Sequence, residues 1–463
     1  MASITEPDIS QSRGIVLLRA ASRKPEYMAS LVIALVFALV FPRLWVGDLL
    51  NSYPFMSDDS FDWVTQGVAL VEFISGEDQS QWPILRPPLF VFVHAADHWL
   101  GTDGIVFLFV QVSALTGLSF SVARFARVRG GGFAASFLAG LGAPLSIVGV
   151  YAVWILSDAL ASSLMTISCV LALNQLREPP PDSLSDGLRR LTPAALIGAL
   201  AGITQTYGMI PMLIIGCFFG GRYLLSRRTI SVWATPLLAA LITGLLGFGL
   251  QKLWAGIIPH GMQPETFGLL KPSLGMLPFY ANVWPLTFGL FVPVLLWAIV
   301  GFLLGRRVPS VEALALLATV GAFALLSFCY QWPESRMTYI YFPLFILMVL
   351  ALRLDPTCQH GPAAATRNKG ALAATSGAVI LATFTIVPGD YWRPSIAGMR
   401  FAPAETWLLS TFAAEPIDRY RLRIVCSGMD DVCGRAIVVP QSSPYRDMML
   451  TEYKRRRTTG RAE

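Results

Sequence analysis

Long apolar runs recur from Met28 to Pro388. Many reach the roughly 20 residues that an α-helix needs to cross a lipid bilayer. A chain built this way has few options. In hydrocarbon every backbone N–H and C=O must find a partner within the protein, so only helices and closed barrels can span. The runs are continuous rather than alternating, which points to helices and away from a barrel. The expected fold is an all-α polytopic membrane protein of about 11 transmembrane helices. It has an amphipathic first external loop and a small C-terminal external region.

Composition agrees. Of 463 residues, 54% are apolar and 14% charged, where a soluble chain carries about a quarter charged residues. The net charge of +6 comes from Lys and Arg in short loops beside the apolar runs. That pattern reports topology rather than nucleic-acid binding, because basic residues collect on the cytoplasmic side.

Charge asymmetry then threads the chain. Residues 1–27 contain Arg13, Arg19, Arg23 and Lys24 and are expected inside, with no cleavable signal peptide. Span one covers Met28 to about Trp45. The loop 47–104 is expected outside and is too long for a simple connector. Span two runs from Gly104 to Ala123 and ends at Arg124, Arg127 and Arg129. Spans three and four are expected over Phe133–Val150 and Trp154–Leu173. Pro193 to Leu225 is apolar but interrupted by Gly202, Gln205, Thr206, Gly208 and Pro211, with arginines on both flanks. Two short helices that enter and return satisfy that pattern, provided the irregular backbone is buried in protein. Further spans are expected over Val232–Leu253, up to Arg306, over Val311–Phe328, up to Arg353 and over Ala371–Val387. The domain division is thus a 1–27 cytoplasmic N-terminus, a 28–388 transmembrane domain and a 389–463 external tail.

Six cysteines are present. Cys169, Cys217 and Cys329 fall in or beside spans and read as apolar filler. Cys426 and Cys433 lie in the tail, where an external location would allow a small disulfide loop.

Carboxylates are scarce, so their placement carries information. Asp58, Asp59 and Asp62 lie just beyond the first span, in Ser57-Asp58-Asp59-Ser60-Phe61-Asp62. They read either as a solvated loop with a helix cap or as a general base tuned by a neighbouring acid. Arg86-Pro87-Pro88 follows. It is either an ordinary interfacial cation or a phosphate clamp, with a backbone stiffened by proline and a fork suited to phosphate oxygens. Asp158 sits near the mouth of span four, where a carboxylate is costly and suggests function, or else caps the helix. Glu334 and Arg336, in Tyr330-Gln331-Trp332-Pro333-Glu334-Ser335-Arg336, occupy the opposite outer mouth; Arg336 could bind a lipid phosphate or pair with Glu334. His94 and His98 have zinc-compatible spacing but lack a third ligand and the Glu of the metalloprotease motif. There is no Walker loop, no Asp-x-Asp and no Gly-x-Ser-x-Gly elbow. A nucleotide donor is therefore not expected, and an activated group carried on a lipid phosphate fits better.

Over roughly residues 28–350 these motifs, in this order, resemble the GT-C superfamily, membrane glycosyltransferases that use polyprenyl-phosphate sugars. It includes protein O-mannosyltransferases and the aminoarabinose transferases of lipid A. The matching features are Asp58-Asp59 after span one, Arg86-Pro87-Pro88 before span two and Ser157-Asp158 opening span four. Gly198 and Gly202 in the broken pair, and Arg336 with Tyr339 before a late span, complete them. The chain departs from many members by carrying Gln205-Thr206-Tyr207 where they have an Arg or Lys in the broken pair. The tail after Gly389 falls outside the resemblance.

The resemblance implies inverting transfer of a sugar from a polyprenyl-phosphate donor to a glycan, lipid or protein acceptor, at the outer face of a bacterial inner or plasma membrane. Asp58, or Asp59 beside it, would be the base. Arg86 and Arg336 would bind the donor phosphate. Asp158, Glu334 and Tyr339 would orient substrate hydroxyls. Neither a metal nor any other cofactor is called for, and the partners would be lipids and glycans rather than nucleic acid. A lipid-linked glycan ligase or polymerase remains the nearest alternative. A transporter or flippase is a rival of a different class, though the ionisable residues cluster at the mouths of spans rather than at their midplane.

In a cysteine-free background, an impermeant thiol reagent applied from outside should label Ser60→Cys and spare Ser183→Cys. Labelling of position 183 alone would overturn the topology.

Overall fold

The computed structural model describes residues 24–44, 58–76, 86–102, 104–145, 157–258, 310–329 and 340–354. Among these the secondary structure is helical. The elements are α1 (Pro25–Leu44), α2 (Asp58–Ser75), α3 (Pro88–Leu100), α4 (Ile105–Val128), α5 (Phe133–Gly142) and α6 (Ser157–Arg177). They continue with α7 (Leu184–Thr204), a 3₁₀ turn (Thr206–Met209), α8 (Ile210–Leu225), α9 (Ile230–Ile257), α10 (Val311–Cys329) and α11 (Phe342–Arg353). Among the described residues, four segments are long and apolar enough to cross a membrane: Ile105–Val128, Ser157–Arg177, Thr206–Leu225 and Ile230–Ile257. The spans expected before Arg306 and over Ala371–Val387, and the whole 389–463 tail with Cys426 and Cys433, lie outside the described residues.

Helix boundaries follow local chemistry. Pro87 and Pro88 start α3, because a residue at the first helical turn needs no N–H. Ser183 caps α7, its hydroxyl accepting from the Asp186 amide at 3.2 Å. The α4 amino end is capped from a distance. Asp97 of α3 accepts from the amides of Val106 and Phe107, each at 2.8 Å, and from the Thr102 hydroxyl at 2.7 Å. A carboxylate there satisfies orphan amides and meets the positive end of the helix dipole.

Packing relies on small residues, which let helix backbones approach closely. An added Cβ at Gly198 would lie 3.0 Å from Ser168 of α6 and 3.1 Å from Thr243 of α9. Hydroxyls then reach across to carbonyls. Ser168 donates to Ala194 at 2.7 Å and Thr243 to Ala195 at 3.1 Å. The segment expected as two short helices forms two helices of 21 and 16 residues, the first beginning before the expected Pro193. α7 and α8 both lie along α9, with Gly187 near Thr235 and Gly220 near Leu237 at one end. Gly202 meets both Met209 and Gly247 at the other end. α8 therefore runs back alongside α7 toward the end where α7 begins.

The described part of the loop expected to lie on a membrane surface contains α2 and α3, packed on each other. Trp63 meets Phe90 edge-on at 5.0 Å. At Gly67 a Cβ would come within 2.6 Å of His94, so no larger residue fits between these helices. His94 is buried between Phe90 and Phe107, and burial pushes its imidazole down to about 3. It is packed as a neutral aromatic ring. His98 is exposed near the end of α3, so the two histidines do not converge. Among the described residues, no three His, Cys, Asp or Glu side chains are grouped to hold a metal.

At one end of the bundle, buried charge ties together helices distant in sequence. Arg129 is 1% exposed. It donates to Glu312 at 2.7 Å and to Asn174 at 3.0 Å, and its guanidinium lies 3.4 Å from the Phe125 ring centroid. Arg127 pairs with Glu26 at 2.6 Å. These contacts draw the start of α1, the ends of α4 and α6 and the start of α10 to a single basic end. Removing one partner of a buried pair strands the other charge. Arg129→Met or Glu312→Leu alone should destabilise the protein by about 3–5 kcal/mol, read by thermal unfolding in detergent. The double variant should regain most of that; no recovery would mean that the pair does not account for the loss.

Candidate functional site

The opposite end of the bundle collects the polar groups the first span-breaking motifs contain. Its centre is the break between α7 and α8. Gln205 takes an extended backbone, φ −151° and ψ 133°, and ends α7. Stopping a helix in an apolar bundle orphans its last carbonyls. Gln251 of α9 answers this: its side-chain amide donates to the Gly202 carbonyl at 2.5 Å, and its oxygen accepts from Thr206 at 3.3 Å. Gly208 is needed in the following turn, because a Cβ there would collide with the Ala201 carbonyl. Pro211 then opens α8 in its first turn.

The break is also tied to α6. Gln205 donates its side-chain N–H to the Ser157 hydroxyl. Tyr207 donates its hydroxyl to the Asp158 carboxylate at 2.5 Å. Ser157 and Asp158 open α6 and are both buried. A carboxylate at that position is stabilised by the helix dipole and by a phenol that donates to it. One turn further along α6, Ser162 donates to the Ile340 carbonyl at 2.5 Å. The ring of Tyr341 stacks on Phe323 at 5.6 Å, and Phe323 meets Tyr207 edge-on at 6.2 Å. The first described residues after Tyr339 are thereby fixed beside Asp158. Glu334, Arg336 and Tyr339 themselves lie outside the described residues.

Arg86 arrives from the other side. Its backbone amide donates to the Gln66 side-chain oxygen of α2 at 2.8 Å, and its carbonyl accepts from the Trp254 indole N–H of α9 at 3.2 Å. Its guanidinium lies over the Trp63 ring, 5.5 Å from the centroid. Trp254 is three residues after Gln251, about one helical turn. Through that turn of α9, Arg86 and Asp158 share one end of the bundle. Asp58 and Asp59 are the first two residues of α2, the helix that supplies Trp63 and Gln66. Their side-chain positions, and that of Asp62, lie outside the described residues.

Comparison of the chain with family models, curated proteins and solved structures finds no match. Fold and site together define an all-α, multi-helix protein. Several of its long apolar helices are of a length and composition that suit an integral-membrane location, with a polar, partly ionisable cluster at one end.

Sequence reading singled out Arg86 and Asp158. It named Tyr207 only as a departure in the broken pair, and it passed over Gln251, Gln66 and Trp254. Gln251 was findable, since an amide within a long apolar run needs a reason to be there. Gln66 and Trp254 carry no such signal.

Tyr207→Phe should cost about 1.5–3 kcal/mol of stability, the range for a hydrogen bond to a charged group, read as a lower thermal midpoint. In a double-mutant cycle with Asp158→Asn the two losses should be coupled. Additive losses would mean that the phenol and the carboxylate do not interact.

Proposed function

We propose that this chain is an integral-membrane glycosyltransferase of the GT-C type. It moves a sugar from a polyprenyl-phosphate donor to an acceptor hydroxyl at the outer face of the membrane, with inversion at the anomeric carbon. The observation that carries the reading is the placing of one held cation, Arg86, and one buried carboxylate, Asp158, at the same end of the bundle. They come from segments far apart in sequence and are each linked to the last turns of α9, Arg86 through Trp254 and Asp158 through Tyr207, Thr206 and Gln251.

The chemistry assigns the roles. Negative charge develops on the departing polyprenyl phosphate, and a guanidinium aimed at it stabilises the transition state. Arg86 supplies that group, with Arg336, four residues before the anchored Ile340, as its partner. The acceptor hydroxyl must lose its proton as it attacks. Asp58 is the base, with Asp59 next to it, at the start of the helix that holds Arg86. Asp158, its carboxylate oriented by Tyr207, orients sugar or acceptor hydroxyls, with Glu334 and Tyr339 contributing from the neighbouring segment. In one step the anomeric C–O bond to the phosphate breaks, a new C–O bond to the acceptor forms, and the acceptor's proton passes to the aspartate.

Mass spectrometry of glycolipids and cell-surface glycans, with and without the gene, should show one modification lost. Restoring Asp58→Asn or Asp59→Asn should lower that modification by at least about 100-fold for whichever is the base. If both variants transfer normally, the start of α2 is not the catalytic centre; if no glycan changes on deletion, the reading itself falls.

A further inference from the structure

Arg86 is held in a way that an interfacial arginine does not need. Both of its backbone polar groups are bonded to side chains. The amide goes to Gln66, 20 residues earlier, and the carbonyl to Trp254, 168 residues later. Gln66 is 3% exposed and Trp254 is 7% exposed. Trp254 is braced in turn by Phe92 of α3, with ring centroids 5.1 Å apart. On the C-terminal side, Pro87 and Pro88 lack an N–H and have restricted φ, with Pro87 at φ −57° and ψ 145°. The Cα of Arg86 is therefore fixed from α2, α3 and α9 at once. The guanidinium then lies over Trp63, whose electron-rich face attracts a cation.

A cation that only meets lipid headgroups gains nothing from such fixing, because its targets diffuse. Fixing matters when the group must meet one oxygen set in one place. The lost freedom is then settled on folding and not on binding.

We propose that Gln66 and Trp254 are positioning residues for the Arg86 guanidinium, and that together they form a backbone clamp for a polyprenyl phosphate monoester. The proposal rests on the glycosyltransferase reading of the same site. The clamp also links the two halves of that site. The turn of α9 that carries Trp254 carries Gln251, which holds the α7–α8 break and with it Tyr207. α9 thus sets the cation and the Asp158 carboxylate in one register.

The test uses the full-length protein in nanodiscs of zwitterionic lipid, titrated with a polyprenyl monophosphate. Trp254→Phe keeps a ring against Phe92 and removes the indole N–H. Gln66→Met keeps length and removes the acceptor. Each should weaken binding about five- to tenfold, the scale of one hydrogen bond. Arg86→Ala should weaken it more. On the Arg86→Ala background, Trp254→Phe and Gln66→Met should cost nothing further, because no guanidinium is left to place. Additive losses on that background would mean general loosening and would overturn the clamp. So would native binding by both single variants while Arg86→Ala binds weakly. If Arg86→Ala itself binds like the native protein, the phosphate reading of Arg86 is wrong, and the clamp falls with it.

Discussion

A helix that stops inside an apolar bundle leaves carbonyls with no water to bind, and each one left bare costs several kcal/mol. The break after Thr204 is such a place. It survives because side chains from both neighbouring helices are spent on it: Gln251 on the Gly202 carbonyl and the Thr206 hydroxyl, Ser157 and Asp158 on Gln205 and Tyr207. The remaining architecture depends on that repair. α6 and α9 are held against the break at one end, and the residues that satisfy it are the residues that make the end polar.

The two ends of the bundle use charge differently. At the basic end, Arg129 and Glu312 neutralise each other, and the guanidinium is 1% exposed. Such a pair gives little net stability over an apolar replacement, but it fixes which helix lies beside which. At the other end Arg86 is fixed through its backbone, and its guanidinium is placed over an aromatic face. Asp158 is met by a neutral phenol. A closed ion pair suits architecture. Here the fixing comes from the backbone of Arg86 and from the phenol that donates to Asp158, and it sets both side chains in place.

Parts of this were legible beforehand. Expected spans over Met28–Trp45, Gly104–Ala123 and Val311–Phe328 compare with helices over Pro25–Leu44, Ile105–Val128 and Val311–Cys329. Apolar runs bounded by arginines leave little freedom there. The third expected span differs. The described helix is Phe133–Gly142, and 146–156 lie outside the described residues. The broken pair has its break where Gly202, Gln205 and Gly208 marked it and ends at Leu225 as expected, but its first helix begins at Leu184 rather than Pro193. A run interrupted by Gly and Gln marks a break without telling how far the helix persists on either side. His94 and His98 shared a helix spacing, but only packing shows that His94 is an aromatic filler beside Gly67.

The sequence by itself determined that long segments are apolar and nearly uncharged, a length and composition that suit a bilayer. Apolar length and the scarcity of charge make helices obligatory, and the arginines mark where they end. Only the tertiary structure decided which distant residues serve one another. Gln66 and Trp254 are unremarkable in the chain, and Gln251 shows only that an amide sits in an apolar run, since a hydrogen bond to a backbone atom leaves no pattern at its other end. Their roles arise because Arg86, Gly202 and Asp158, separated by many residues, are brought to the same end of the bundle, where each polar group needs a partner.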